Sequence, residues 1–278
     1  MAGMAAPMGI GERQSLAYNA ATKGNHLSMP ETWLFHFRVA IGFLTRLPFG
    51  PTETLPPNGL AEAMRAFPLV GIVVGGGVGL VYWAAFGVFG PVIAALLAVA
   101  GGIWLTGGLH EDGLADTLDG FGARGERRER LDAMRDSRIG TYGVLALMIS
   151  LSLRVAALAA LAPGKPALAA LVAAGALSRA AMPLTMRLLP PARSDGLGFS
   201  AGKPLSGTVL TAMGVAALLS LFGLGLSGGM LAILSTVAAV IWLNRVTERH
   251  LGGYTGDTLG ALQPVIEGVV LLAVVAVG

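Results

Sequence analysis

Residues 107–143 read GGLHEDGLADTLDGFGARGERRERLDAMRDSRIGTYG and hold half of the chain's 16 acids together with six arginines. Within this stretch Asp112, Asp116 and Asp119 fall at i, i+4 and i+7. On a helix, that spacing puts three carboxylates on one face, where they repel one another at neutral pH. A divalent cation relieves such crowding. Carboxylate oxygens are the hard ligands that Mg2+ prefers, and the ion commonly takes one or two of them and completes its shell with water and phosphate. The three acids are interleaved with Gly113, Leu114, Ala115 and Gly120 and have no base among them. The mixed run from Glu126 to Asp132 has instead the pattern of a solvated surface helix.

Other polar groups stand at the edges of apolar runs. Asp136 and Arg138, in the run DSRIGTYG, precede one of them; the acid could complete a metal shell or accept a proton, and the arginine could clamp phosphate oxygens. Residues 252–261, GGYTGDTLGA, read as a glycine-rich polar loop whose amides could cradle a phosphate, with Asp257 as a further ligand or base. Arg154 and Arg179 lie inside apolar runs, where a charge facing lipid costs about 2.5–3.5 kcal/mol on insertion scales. No acid is expected in the neighbouring spans, so a bound anion or the carboxylates of 107–143 must compensate them. Arg179 also lies two turns from Arg187, a spacing that suggests one basic wall.

The elements that position these groups are membrane helices. Hydrophobic residues make up 54% of the chain and charged ones 13%, about half the charge of an average soluble domain, and the mean hydropathy is +0.70. With no cysteine, thiolate metal sites and disulfides are excluded. The formal net charge is only +3, and the basic residues sit near membrane edges, so nucleic acid is not the expected partner. Runs at 67–89, 92–109, 144–161, 167–186, 208–226 and 230–243 are expected to span a bilayer core of about 30 Å, with a tight turn at Gly90 and Pro91. Two more are doubtful spans: 33–49, interrupted by His36, Arg38 and Arg46, reads as an interfacial helix, and 265–277 is short unless it begins near Leu259. The fold expected is an all-α polytopic integral membrane helical bundle of six to eight membrane segments, with an acidic active-site helix or loop on its cytoplasmic face. Gly71, Gly75 and Gly79, at every fourth position, are expected to let two helices approach closely. Placing the N-terminus and the loops at 107–143, 187–203 and 245–263 on one side collects 16 of the 19 basic residues there, which makes that side cytoplasmic. Residues 1–32 are expected to form a disordered cytoplasmic tail, and 33–278 a single membrane-embedded catalytic domain.

Five ordered motifs carry a resemblance: FLTRLP at 43–48, GGLHEDGLADT at 107–117, DSRIGT at 136–141, SRA at 178–180 and GGYTGD at 252–257. Over most of the chain, from Trp33 to Glu267, the sequence resembles the cobalamin synthase family, adenosylcobinamide-GDP ribazoletransferase. The resemblance implies a Mg2+-dependent enzyme of the bacterial inner membrane that joins adenosylcobinamide-GDP to alpha-ribazole, or its 5'-phosphate, and releases GMP. It implies Asp112, Asp116 and Asp119 as metal ligands. Asp136, Asp257 and Arg138 would be catalytic, with Arg46, His110, Thr141, Arg179, Thr255 and Gly256 around the substrates. The lipid bilayer is an expected partner, and a homo-oligomer is compatible with the sequence.

The chemistry so implied is substitution at a pyrophosphate phosphorus: a ribose hydroxyl attacks on the cobinamide side, Asp136 or Asp257 takes its proton, and GMP leaves. Asp116, Asp119, Gly120, Ala123 and Arg124 also match the first half of the CDP-alcohol phosphotransferase pattern, while Arg128 and the short spacing to Asp132 and Asp136 depart from the second half. Two rival readings are therefore a phospholipid-forming phosphotransferase of that kind and a divalent-cation transporter.

Overall fold

The computed structural model describes residues 33–52 and 54–277, so the expectation of a disordered tail at 1–32 lies outside the described residues. The regular elements among them are helices: α1 (Trp33–Leu44), α2 (Gly59–Ala63), α3 (Phe67–Thr106), α4 (Leu109–Gly122), α5 (Arg127–Ala133), α6 (Thr141–Ala159), α7 (Lys165–Leu188), α8 (Gly196–Ser200), α9 (Ser206–Leu251) and α10 (Gly256–Val277), with a 3-10 turn at Met64–Ala66. Five helical stretches are long and apolar enough to cross a membrane: Gly59–Thr106, Thr141–Ala159, Lys165–Leu188, Ser206–Leu251 and Gly256–Val277.

Two of the five are hairpins. In α3 the helix breaks at Gly90 (φ 73°, ψ 177°), a left-handed conformation that glycine adopts without penalty, and Pro91 restarts it with a preset φ. The two limbs then pack antiparallel, since a Cβ on Gly102 would stand 2.9 Å from the Val78 side chain. Gly225 (φ 72°, ψ 180°) breaks α9 in the same way, and a Cβ on Gly229 would lie 2.7 Å from the Leu221 Cα. Seven apolar limbs result, within the expected six to eight. α1, at 12 residues, is too short to cross, in keeping with the interfacial reading.

The last limb is long enough to span because it starts at Gly256, three residues before Leu259, and the loop reading of 252–261 is corrected: residues 256–261 are helix and only 252–255 remain a turn. The reason is a reciprocal cap: the Thr258 N–H donates to Thr255 Oγ1 at 3.2 Å and the Thr255 N–H to Thr258 Oγ1 at 2.9 Å, which satisfies amides that would otherwise be orphaned at the helix start.

α7 runs through the middle of the bundle, packed by α3, α9 and α10. The glycines of α3 meet it as the four-residue spacing predicts: a Cβ on Gly71 would stand 2.3 Å from the Gly175 carbonyl, one on Gly75 2.4 Å from the Leu171 carbonyl, and one on Gly79 2.8 Å from the Leu168 side chain. The polar connections gather at one end of the bundle, where Arg46 N–H bonds the Leu105 carbonyl (2.8 Å) and Ala192 N–H the Tyr254 carbonyl (2.7 Å). At the opposite end lies the Tyr82 hydroxyl, which donates to the Leu161 carbonyl (2.9 Å).

Gly71→Ala is expected to destabilise the protein by about 1–3 kcal/mol through overpacking against the α7 backbone. Gly76, with nothing within 4 Å of an added Cβ, provides the comparison, and Gly76→Ala should leave the melting temperature in detergent unchanged or raise it. Equal melting temperatures for the two variants would contradict this packing.

Candidate active site

Two successive left-handed glycines, Gly107 and Gly108 (φ 73° each), turn the chain sharply from the end of α3 into α4. As its spacing predicts, α4 is a helix carrying Asp112, Asp116 and Asp119. Its two sides do different work. On the inner side the buried Glu111 accepts a hydrogen bond from Arg154 Nη2 at 2.9 Å, and Arg154 Nη1 stands 3.6 Å from Glu267 Oε2. Gln263 Nε2 also donates to Glu267. Arg179 lines the same small void, with its Nη1 on the Gly175 carbonyl at 3.1 Å.

That arrangement corrects the expectation of acid-free spans. Glu267 lies inside α10 and shares with Glu111, one of the carboxylates of 107–143, the neutralisation of the two arginines. Arg179 is 1% exposed and does not line the large cleft described below, and the exposed Arg187 bonds Ser206 Oγ (3.3 Å) instead of forming a basic wall with it.

The outer side of α4 faces the start of α10. Gly113 makes the approach close, since a Cβ there would stand 2.7 Å from the Asp257 carbonyl and 3.1 Å from the Gly260 Cα. Asp257 is thereby brought to the acidic face. A short backbone bridge between Pro191 and Tyr254 then holds the 189–195 loop against the same turn, and Arg193 Nη2 donates to Asp257 Oδ2 at 3.1 Å.

Beside these groups opens a cleft of about 790 Å³, a volume typical of small-molecule sites. One wall is apolar, built by Phe43, Leu44, Met64, Phe67, Met182 and Met186; the other carries His110, Glu111, Asp112, Arg193 and Asp257. His110 is 2% exposed and neither of its ring nitrogens has a partner. Burial, and then the charges of Arg179 and Arg154, hold its pKa well below the usual histidine range, so it is a neutral hydrogen-bonding group at neutral pH.

The remaining expected site residues are dispersed. Both Asp119 oxygens are engaged by backbone, from Gly140 N–H (2.7 Å) and Gly143 N–H (2.8 Å). A carboxylate there caps α6 and complements its dipole. Asp136 and Arg138 pair with each other at 2.8 Å, both exposed, and the hydrogen bonds from Arg138 push the Asp136 carboxyl down to about 2. Thr141 and the Arg46 side chain are exposed and outside the cleft, and Thr255 is buried in its capping role, while Gly256 lines the cleft. Sequence reasoning gave no role to Arg193 or Glu267, and reached Glu111 only as one of the carboxylates of 107–143 that could compensate the arginines. Glu267 could have been found as the lone acid in an apolar run, Arg193 only as the base nearest the Pro190–Pro191 pair.

The model of a family described as cobalamin-5-phosphate synthase matches residues 36–275. The chain belongs to that family. It is 43% identical over 240 residues to a Bradyrhizobium diazoefficiens protein named adenosylcobinamide-GDP ribazoletransferase, covering 86% of this chain and 92% of that relative. Relatives of the same name from Sinorhizobium medicae and Azorhizobium caulinodans are each 42% identical, covering 84% of this chain and 92% and 93% of theirs. No solved structure matches the chain.

For this family member the donor chemistry fits a hard divalent cation. Asp112, Asp116 and Asp257 stand close enough that burial, and then the charges of Asp112, Asp257 and Asp119, push the Asp116 carboxyl up to about 7 against the opposing pull of Arg193. Among the described residues no group of three or more His, Asp and Glu side chains is placed to hold a metal ion. A divalent ion here would take one or two of these carboxylates and keep water and phosphate in the rest of its shell.

A carboxyl whose folded-state pKa is raised stabilises the fold while protonated, and that contribution is lost as pH climbs from about 4 through 7. In EDTA the melting temperature should therefore fall across pH 5 to 8, and the rise produced by Mg2+ should be larger at pH 8 than at pH 5. A Mg2+ effect independent of pH, or one retained in full by Asp116→Asn, would remove Asp116 from the cation site.

Proposed function

We propose that the cleft joins adenosylcobinamide-GDP to alpha-ribazole, or to its 5'-phosphate, giving adenosylcobalamin or its 5'-phosphate and GMP. The observation that carries this reading is the apposition of Asp112 on α4 to Asp257 on α10 in the wall of a half-apolar cleft, made by the contact of Gly113 with Asp257 and Gly260, with Asp116 one turn further along α4. Family membership and the names of the relatives supply the substrates. In this reading the protein lies in the bacterial inner membrane with the cleft opening to the cytoplasm, because the loops rich in Lys and Arg gather at that end.

Asp112 and Asp116 would hold Mg2+, with Asp257 completing the set; Asp119 contributes through its field and by seating α6. Bound there, the cation would supply the positive charge that phosphoryl transfer needs. The residues of the chain do the rest. Asp257, at the cleft wall, is better placed than the exposed Asp136 to accept the proton of the attacking hydroxyl, through the carboxylate oxygen left free of the cation. His110, neutral and unpartnered, offers a hydrogen bond to substrate. The apolar wall takes the less polar parts of the two large substrates and excludes water from the reacting phosphorus, where fixed dipoles and positioning act most strongly. Asp136 and Arg138, exposed and paired with each other, are not among the residues that line the cleft.

A transporter reading is disfavoured by the same geometry. The acidic cluster stands at the end of the bundle, while the one acid found deeper in α10, Glu267, is tied to Arg154. Transport sites lie near the midplane on broken helices. The CDP-alcohol reading is disfavoured by the match to a different family over 36–275.

In detergent, with adenosylcobinamide-GDP, ribazole and Mg2+, the protein should release GMP and not CMP. Asp112→Asn should abolish turnover, Asp257→Asn should cost about 10²- to 10⁴-fold, and Asp136→Asn should stay within about tenfold, since an exposed ion pair outside the cleft lining is what it removes. Wild-type GMP release by Asp112→Asn would discard the cation assignment, and equal losses in the Asp136 and Asp257 variants would discard Asp257 as the base.

A further inference from the structure

Arg193 is the one Lys or Arg among the described residues that line the cleft. The backbone around it is pinned. Ala192 N–H donates to the Tyr254 carbonyl (2.7 Å) and Tyr254 N–H to the Pro190 carbonyl (2.9 Å), so the loop cannot shift without breaking its registry with the start of α10. The guanidinium is held by Asp257 Oδ2, which accepts from Nη2 at 3.1 Å, while Asp195 Oδ1 lies 3.6 Å from Nε, an ion-pair contact longer than a hydrogen bond. Asp195 is in turn gripped by Arg135 at 2.6 Å. That leaves Nη1, which is buried and has no acceptor. A buried donor left unmade costs more than a made one gains, so the fold keeps this group for something that comes later.

We infer that Arg193 is the pyrophosphate-binding cation of the cleft, restrained by Asp257 in the resting state and released to phosphate when a divalent cation takes that carboxylate. This rests on the reading of the cleft as a nucleoside-pyrophosphate site. Asp257 has two suitors, the guanidinium beside it and a divalent ion shared with Asp112 and Asp116, and the doubly charged ion wins the carboxylate. The guanidinium, with Asp195 near its Nε, then has two terminal N–H2 groups for phosphate oxygens, which its planar fork meets bidentately. Arg193 thus serves as the counter-ion of the acidic cluster until metal arrives and as the phosphate ligand afterwards. Binding of metal and nucleotide is coupled in consequence, each favouring the state the other needs.

The test is calorimetric titration of GDP, and separately of Mg2+, into the purified full-length protein in detergent. Arg193→Gln should weaken GDP binding in Mg2+ by about tenfold or more, the loss of a charge-assisted pair. It should also tighten Mg2+ binding, because a competitor for Asp257 is gone. Arg193→Lys should fall between Gln and wild type for GDP. A merely structural arginine would weaken both ligands together, and that result overturns the inference, as does unchanged GDP binding by Arg193→Gln. Should Arg193→Gln fail to fold, Arg193→Gln/Asp257→Asn leaves no unpaired carboxylate, and it should bind GDP about tenfold more weakly than Asp257→Asn alone; equal affinities overturn the proposal. If wild type binds no GDP with Mg2+ present, the pyrophosphate reading of the cleft falls and this inference with it, whereas wild-type binding with an unaffected Arg193→Gln removes only the inference.

Discussion

Arg154 reaches two carboxylates from two helices in the interior of an apolar bundle: Glu111 on α4 and Glu267 on α10. Charges are costly there, and a buried pair that loses one member leaves the other uncompensated. The three helices carrying these groups are therefore constrained to meet with their charges in register. Glu111 immediately precedes Asp112 in sequence. Fixing the inner side of α4 by an ion pair consequently fixes the direction in which its acidic side points.

Once α4 is oriented, the glycines decide how near α10 can come. Gly113 and Gly260 allow backbone contact where any side chain would separate the helices, and the result is that Asp257 joins a cluster whose members repel. The energy of that repulsion is held by the surrounding frame: the capped start of α10, the bridge from Tyr254 to Pro191, and Asp119 bound to the amides ahead of α6. Arg193 offsets part of it from one side. A site built in this way is preorganised for positive charge.

The membrane location suits such a cleft. Its apolar wall is an extension of the bundle interior, with Phe43 stacked on Phe67 at 6.1 Å and the methionines of α7 beside them. Its polar wall belongs to the water-facing end. A substrate with a large, partly apolar body and a charged tail can lie across that boundary with each part in its own medium.

Composition and spacing alone determined the membrane bundle, the number of limbs within narrow bounds, the hairpin turn at Gly90, the close packing of Gly71, Gly75 and Gly79, and the acidic face of α4. These follow from local rules: an apolar run long enough to cross, a residue free to take positive φ, a period of 3.6. The five motifs also carried the family. What the tertiary structure decided was partnership. Asp112, Asp116 and Asp119 look equivalent on a helix, yet Asp119 turns to the amides of α6 while Asp257, 138 positions after Asp119 in the sequence, takes up the place beside the other two. Residues 256–261 read as loop because this first turn of α10 is polar, and only the Thr255–Thr258 cap shows why a glycine-rich run is helical. Arg154 and Arg179 could be recognised as needing partners, but the identity of those partners depends on which helices become neighbours, and no local pattern encodes that.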